Sequence, residues 1–288
     1  MLNSKTIRIL NNLIKRTITG SLFVGISSAL ILINEWTFLA FALIASVWLT
    51  IEFIRIANND KNKPNIGLTV ANVVIIVVGS FLIIKYQLDK SLFFIILVPV
   101  FFLFIYDLYA NKETPIRNIA LSIFSLLYIV VPIVLSIILV IGSSLYYQSE
   151  SVGFQPTILM GILILIWVYD SMAYCIGVPL GKHRLFERVS PKKSWEGTIG
   201  GAILTLIAGY FIHLIFPILT KPDWIAITIV VVVFGSFGDL IESLFKRSLD
   251  MKDSGESLPG HGGMLDRLDS FIFTLPLVFI YLIIRNIL

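Results

Sequence analysis

Cysteine occurs once in 288 residues, at Cys175 inside an apolar run. That excludes a disulfide framework and any CxxC metal site. Histidine is nearly as scarce: His183, His213 and His261 are scattered, with no HExxH pair, which argues against zinc hydrolysis. No GxSxG marks a serine hydrolase. Gly177-x-x-x-Gly181-Lys182-His183 has neither the spacing nor the Ser/Thr of a Walker A loop. Charge is the largest deficit. Only 14% of residues are charged, while 57% are hydrophobic and the mean hydropathy is +0.92. Soluble domains run nearer half apolar and a quarter charged, so the excess points to a bilayer. The net charge of +4 is then a matter of distribution across loops and gives no reason to expect a nucleic-acid partner.

Apolar stretches of the length that crosses about 30 Å of hydrocarbon as helix recur along the whole chain. Hydropathy predicts nine spans, near 17–34, 36–55, 67–86, 91–107, 118–143, 157–178, 197–217, 222–245 and 268–287. The predicted fold class is all-α, a polytopic integral membrane helix bundle. With a cytoplasmic N-terminus, every Lys and Arg but Lys85, Lys90, Lys221 and Arg285 falls on the inner side, out of 22 in all. One miscounted span would scramble that bias, so the nine-span reading puts the C-terminus outside. Residues 1–150 form an N-terminal transmembrane region of about five spans. Residues 151–288 are expected to form a C-terminal transmembrane region, the catalytic one if the chain is an enzyme, with cytoplasmic loops 178–196 and 246–268.

The first loop, "GVPLGKHRLFERVSPKKSWEG", is basic. It reads either as a positive-inside anchor against anionic headgroups or as an anion site built from Lys182, His183, Arg184, Lys192 and Lys193. Ser190-Pro191 has the form of a helix start, with Ser190 as N-cap and Pro191 at the first helical position, which would aim free N–H groups at an anion. The second loop mixes acids with bases. An anchor has no use for Asp250, Asp253, Glu256, Asp266 and Asp269. Its "PGHGG" run predicts a tight turn into the last span, where glycine lets backbone N–H groups approach an oxyanion.

Both loops are fed by spans that carry acids. In "VVVFGSFGDLIESLFKR", Asp239, Glu242, Ser243 and Lys246 fall at i, i+3, i+4 and i+7 and share one helical face. An Asp at membrane depth costs about 2.5–3.5 kcal/mol, so it normally faces a cavity and has a partner. In "WVYDSMAYCIG", Asp170, Ser171 and Tyr174 repeat the pattern. Carboxylates, bases and glycine turns thus outline one site open to the cytoplasm. Hard oxygen ligands beside clustered bases suit Mg²⁺ and phosphate chemistry.

Residues 243–269 read S-L-F-K-R-S-L-D-M-K-D-S-G-E-S-L-P-G-H-G-G-M-L-D-R-L-D. This run resembles the signature of the phosphatidate cytidylyltransferases, the CDP-diacylglycerol synthases: S-x-φ-K-R, four residues, K-D, then P-x-H-G-G-φ-x-D-R-φ-D. The G-D-L-x-E-S at 238–243, the S-P-K-K-S-W-E-G at 190–197 and the D-x-x-A-Y at 170–174 are also similar to the family, which often has Thr where this chain has Ser194. The resemblance is strong over roughly 165–270; the first 150 residues match only as an apolar multi-span region.

The resemblance implies transfer of CMP from CTP to phosphatidic acid, giving CDP-diacylglycerol and pyrophosphate, at the cytoplasmic face of the inner membrane in phospholipid biosynthesis. It implies dependence on Mg²⁺ and allows a second metal ion. Asp239 and Asp266 would be the principal metal carboxylates, with Asp269 and Glu242 as accessory ligands. Lys246, Arg247, Lys252 and Arg267 would hold phosphates, with Asp253 beside them. His261, counted with the catalytic residues Asp239, Asp266, Lys246 and Arg267, would shape the turn over the triphosphate with Gly262 and Gly263. Ser190, Lys192 and Lys193 would complete the nucleotide or phosphatidate pocket, and Asp170 and Tyr174 would line the headgroup cavity. Membrane lipids surround such a bundle; a homodimer is compatible with it, though no motif demands one. The rivals are a CTP-using lipid kinase, an enzyme of archaeal ether lipids, an ion transporter using Asp170 and Asp239, and a non-catalytic membrane anchor.

Overall fold

The computed structural model describes residues 19–58, 62–110, 112–142, 153–248 and 263–287. Within them the chain folds into nine apolar helices, α1 (Thr19–Leu32), α2 (Glu35–Ala57), α3 (Ile66–Lys85), α4 (Leu92–Tyr109), α5 (Pro115–Ile141), α6 (Thr157–Leu180), α7 (Trp195–Ile215), α8 (Lys221–Ser248) and α9 (Leu265–Ile284). They coincide with the nine predicted spans. Eight are long and apolar enough to cross a membrane, and α1 is shorter within the described residues. Between α6 and α7 the chain adds one antiparallel hairpin, β1 (Arg184–Phe186) and β2 (Ser190–Ser194).

Local chemistry sets the helix boundaries. Asn34 caps α2 by accepting from the N–H groups of Trp36 and Thr37, both at 2.9 Å, while the Thr37 hydroxyl accepts from the Asn34 N–H at 3.1 Å. Asn65 caps α3 through Leu68 N–H at 2.9 Å. Pro115 opens α5 at a position whose N–H would be unpaired anyway. The expected helix start at Ser190 is corrected. Ser190 and Pro191 lie in β2, Ser190 opposite Phe186, and α7 begins at Trp195 with Ser194 as its cap, accepting from Gly197 N–H at 3.2 Å. Pro191 is tolerated there because a two-stranded ribbon leaves every other N–H unpaired.

The helices pack through small residues, as expected where lipid is as apolar as the interior. Gly197 of α7 touches α6 so closely that a Cβ would lie 2.7 Å from the Ala173 carbonyl oxygen and 2.8 Å from Gly177 Cα. Trp224 of α8 is fully buried against Gly161 of α6, its indole N–H donating to the Phe216 carbonyl at 3.0 Å. One hydrophobic core runs through both halves of the chain, from Ile31 and Phe53 to Leu275 and Leu282. A column of rings crosses between the halves: Phe53 of α2 stacks on Phe245 of α8 at 4.7 Å between centroids, and Phe124 of α5 stacks on Phe245 at 6.3 Å.

At the end of the bundle away from the hairpin, buried Asp223 of α8 accepts from Tyr281 Oη at 2.7 Å and Arg285 Nε at 3.1 Å, tying α8 to the end of α9. Nearer the hairpin the same two helices meet at Gly238. A Cβ there would stand 2.9 Å from the Asp269 carbonyl oxygen and 2.9 Å from Phe273 Cβ, whereas one at Gly235 meets nothing closer than 3.7 Å. Gly238→Val should therefore cost about 1–3 kcal/mol through overpacking, and Gly235→Ala should leave stability nearly unchanged. Equilibrium unfolding in a detergent–SDS titration, followed by circular dichroism, measures the difference.

Candidate active site

The contact at Gly238 places the acids. Asp239 follows it on α8, and its carboxyl lies within hydrogen-bond reach of the carboxyl of Asp269 on α9. Asp269 is buried, 4% exposed. Lys193 reaches in from β2 to form an ion pair with Asp239. It is the strand's inward residue, since its neighbour Lys192 is exposed on the other face of the pleat. One turn along α8, Glu242 is buried and pairs with Lys246 at 2.6 Å, the i,i+4 spacing. Lys246 also meets Asp266 of α9 at 2.5 Å, so one ammonium joins an acid from each helix. The second oxygen of Asp266 accepts from Gly263 N–H at 2.9 Å.

Asp170 of α6 closes the group from the far side; the charges that act on it are those of Asp239, Lys193 and Arg267. It is exposed into an open cavity of about 230 Å³ lined by Thr19, Phe23 and Val24 of α1, Trp167 of α6, and Asp266 and Arg267 of α9. One wall is apolar and the other carries acids and a guanidinium, the mixture needed for a ligand with a polar head and an apolar body.

The structure thus brings together Asp170, Lys193, Asp239, Glu242, Lys246, Asp266, Arg267 and Asp269. Asp269, expected as an accessory, is the acid placed against Asp239, while Asp266 is held by Lys246. Tyr174 is 73% exposed and stands outside the cavity lining, where Trp167 takes the place expected for it. Ser190 is half-buried in the hairpin, and Lys192 and Arg247 are exposed. Gly263 spends its N–H on Asp266. Lys252, Asp253, His261 and Gly262 lie outside the described residues. His183 belongs to the hairpin base: its N–H and that of Lys182 donate to Glu196 at 3.2 and 3.1 Å, and its Nδ1 lies 2.6 Å from the same carboxylate.

Two residues from the N-terminal half also reach the site, and no motif pointed to either. Glu52 of α2 contacts the start of α9. Tyr128 of α5 lies in a π-helical turn, Leu126–Val130, and its hydroxyl is buried with no hydrogen-bond partner among the described residues. The charges acting on that hydroxyl are those of Asp269, Glu242 and Asp239. A π-turn rotates a side chain off the regular helical stripe, so periodicity alone does not reveal it.

Among the described residues, no three carboxylate, imidazole or thiolate groups converge as a ready-made metal cage. The arrangement is a set of carboxylates, three of them (Asp239, Glu242 and Asp266) paired with a lysine, beside a cavity with polar and apolar lining. Such a site can bind cations through its acids and polyanions through its bases, at the boundary of an apolar bundle.

Such a site suits phosphate-bearing ligands at the edge of a membrane bundle, and comparison with known proteins places the chain in a family. The chain belongs to the cytidylyltransferase family, whose family profile matches residues 14–285. Proteins named phosphatidate cytidylyltransferase from Staphylococcus saprophyticus, Staphylococcus haemolyticus and Staphylococcus aureus are each 46% identical to it over 145 residues, which is 50% of this chain and 55% of the relative. The chain spans about half the length of the curated relatives it matches.

The two lysines have different surroundings and should respond differently to removal. Lys246→Met deletes the cation shared by Glu242 and Asp266 and should cost about 3–5 kcal/mol. Lys193 and Asp239 are partly exposed, so Lys193→Met should cost less than about 1 kcal/mol of stability. Denaturant unfolding of both variants in detergent checks the contrast.

Proposed function

We propose that this chain is a CTP:phosphatidate cytidylyltransferase. The single observation that carries the reading is the meeting of Asp239, Asp269 and Asp266 with Lys193, Lys246 and Arg267 beside a cavity with an apolar wall. The family membership and the names of the staphylococcal relatives support it. The acceptor is the phosphate of phosphatidic acid, whose oxygen attacks the α-phosphorus of CTP. The bond from that phosphorus to the bridging oxygen breaks, and pyrophosphate leaves with the electron pair. The attacking oxygen is already anionic, so no protein base is required. The obstacle is mutual repulsion of two polyanions, which fixed cations relieve.

Arg267 faces the cavity and is suited to the acceptor phosphate, a planar donor for a bidentate contact. Phe23, Val24 and Trp167 would lie along the glycerol and acyl portion. Lys193, on the hairpin, is suited to the triphosphate. It can leave Asp239 for a phosphate oxygen without crossing a packed interface.

The donor set fits Mg²⁺. Two carboxyls in mutual contact repel unless a proton or a cation joins them, and Glu242 keeps one buried carboxylate oxygen, Oε1, without a hydrogen-bond partner among the described residues. Mg²⁺ usually takes one or two carboxylates and completes its shell with substrate phosphates and water, so a preformed cage is not needed. Asp239 and Asp269 would hold it, with Asp266 and Glu242 adjacent. When bound, it would supply charge neutralisation of the transferring phosphoryl group. The bias of Lys and Arg across the loops supports an orientation with the hairpin and this site at the cytoplasmic face.

Pyrophosphate release by the purified full chain in detergent, with Mg²⁺, CTP and phosphatidic acid, tests the reading. Release should require both substrates, stop when EDTA removes divalent cations, and fall at least about 10²-fold in Asp269→Asn and in Asp266→Asn. Release of CDP with phosphorylation of a lipid alcohol would instead identify a kinase and overturn the proposal.

A further inference from the structure

The second helix carries one buried acid, Glu52, 4% exposed in an otherwise apolar stretch. Its two carboxylate oxygens accept from the backbone N–H groups of Met264, at 2.9 Å, and Leu265, at 3.3 Å, across 212 and 213 residues of sequence. Those N–H groups open α9, the helix that carries Asp266, Arg267 and Asp269. Met264 occupies the cap position and offers no side-chain cap of its own. Asp266 takes the preceding N–H, from Gly263, at 2.9 Å. The first turn of α9 is therefore capped by one carboxylate from its own sequence and one from the other half of the chain, both on the positive end of the helix dipole.

The neighbour of Glu52 grips the other acid-bearing helix. Phe53 is 1% exposed and stacks on Phe245, one residue before Lys246 on α8, with ring planes 18° apart. Consecutive residues of α2 thus hold α8 by a ring and α9 by its backbone. The pairs Asp239–Asp269 and Lys246–Asp266 each take one partner from α8 and one from α9, so their geometry depends on how far α9 slides or turns relative to α8. Gly238 fixes the approach of the two helices but not their sliding. The Asp223 contacts restrain sliding at the far end, and the Glu52 hydrogen bonds hold the acid-bearing end from α2.

We infer that Glu52 is a positioning residue for the transfer reaction, holding the first turn of α9 so that Asp266, Arg267 and Asp269 stand in register with Asp239 and Lys246. The inference rests on the cytidylyltransferase reading above. Glu52 itself touches no reacting group in this account. Removing it shifts the carboxylates, and a displacement near 1 Å costs on the order of 10²-fold in rate. The loss belongs in kcat more than in the KM for CTP, because the misplaced acids matter most to charge developing in the transition state.

The test compares the full-length wild type with Glu52→Ala, Glu52→Gln, Glu52→Asp and Asp223→Asn in detergent. Asp223→Asn loosens the far end of α9 and serves as a control for loss of stability alone. Three quantities are read: kcat and KM for CTP, the thermal midpoint, and amide hydrogen exchange over residues 263–267. In Glu52→Ala, exchange at Met264 and Leu265 should quicken and kcat should fall by about 10²-fold. Glu52→Gln keeps one acceptor oxygen and should recover most of the rate, while Asp223→Asn should lower the midpoint with kcat near wild type. Wild-type kcat in a folded Glu52→Ala, or equal losses in Glu52→Ala and Asp223→Asn, would overturn the inference. Should Glu52→Ala fail to fold, Glu52→Asp decides, since it keeps the charge but retracts it by one methylene: reduced kcat supports the inference and unchanged kcat overturns it. An inactive wild type would sink the functional reading and this inference together; an active wild type with an equally active Glu52→Ala sinks only the inference.

Discussion

The absence of a side chain at Gly238 is the constraint on which the site depends. Because α8 and α9 touch there at backbone distance, Asp239 and Asp269 come into contact, and one turn further Lys246 can bridge Glu242 and Asp266. Any larger residue would push the helices apart and weaken the two pairs that cross between them, Asp239–Asp269 and Lys246–Asp266. Close approach and mutual neutralisation therefore depend on each other. The charges are tolerable because the helices meet, and the meeting puts the charges where a phosphate-bearing ligand can use them.

Around that contact the molecule divides its cations by mobility. Lys246 is buried with two acids and behaves as a fixed internal counter-ion. Lys193 stands on a short hairpin and pairs with an acid at the edge of the site. Arg267 faces an open cavity beside Asp170. A resting site of this kind carries its own neutralising charges, and only those near solvent can be handed to an incoming anion.

Much of this was legible in the residues. Long apolar runs and the placement of Lys and Arg located all nine helices, because a bilayer imposes one length and one polarity pattern. The i, i+3, i+4 and i+7 spacing of Asp239, Glu242, Ser243 and Lys246 gave their shared face. The hairpin was misread at Ser190 because Ser-Pro suits a helix start locally; the pairing of Phe186 with Ser190 is a non-local fact. The ranking of acids on α9 was also hidden. Asp266 and Asp269 sit three apart on one face, and only the depth of the Gly238 contact decides which of them meets Asp239. Glu52 and Tyr128 escaped notice for another reason: neither belongs to a motif, and the groups they face on α8 and α9 lie more than a hundred residues away.

Glu52 has a further consequence for how the chain is made. Its hydrogen-bond partners on α9 are 212 and 213 residues downstream, so α2 enters the membrane long before they are synthesised. At about 5–20 residues per second that interval is roughly 10 to 40 s. Throughout it the two backbone donors of Met264 and Leu265 are missing from the acid's surroundings. Helix α9 supplies both of these donors, so the join between α2 and the acid-bearing end of α9 takes its final form only once that late segment has been made.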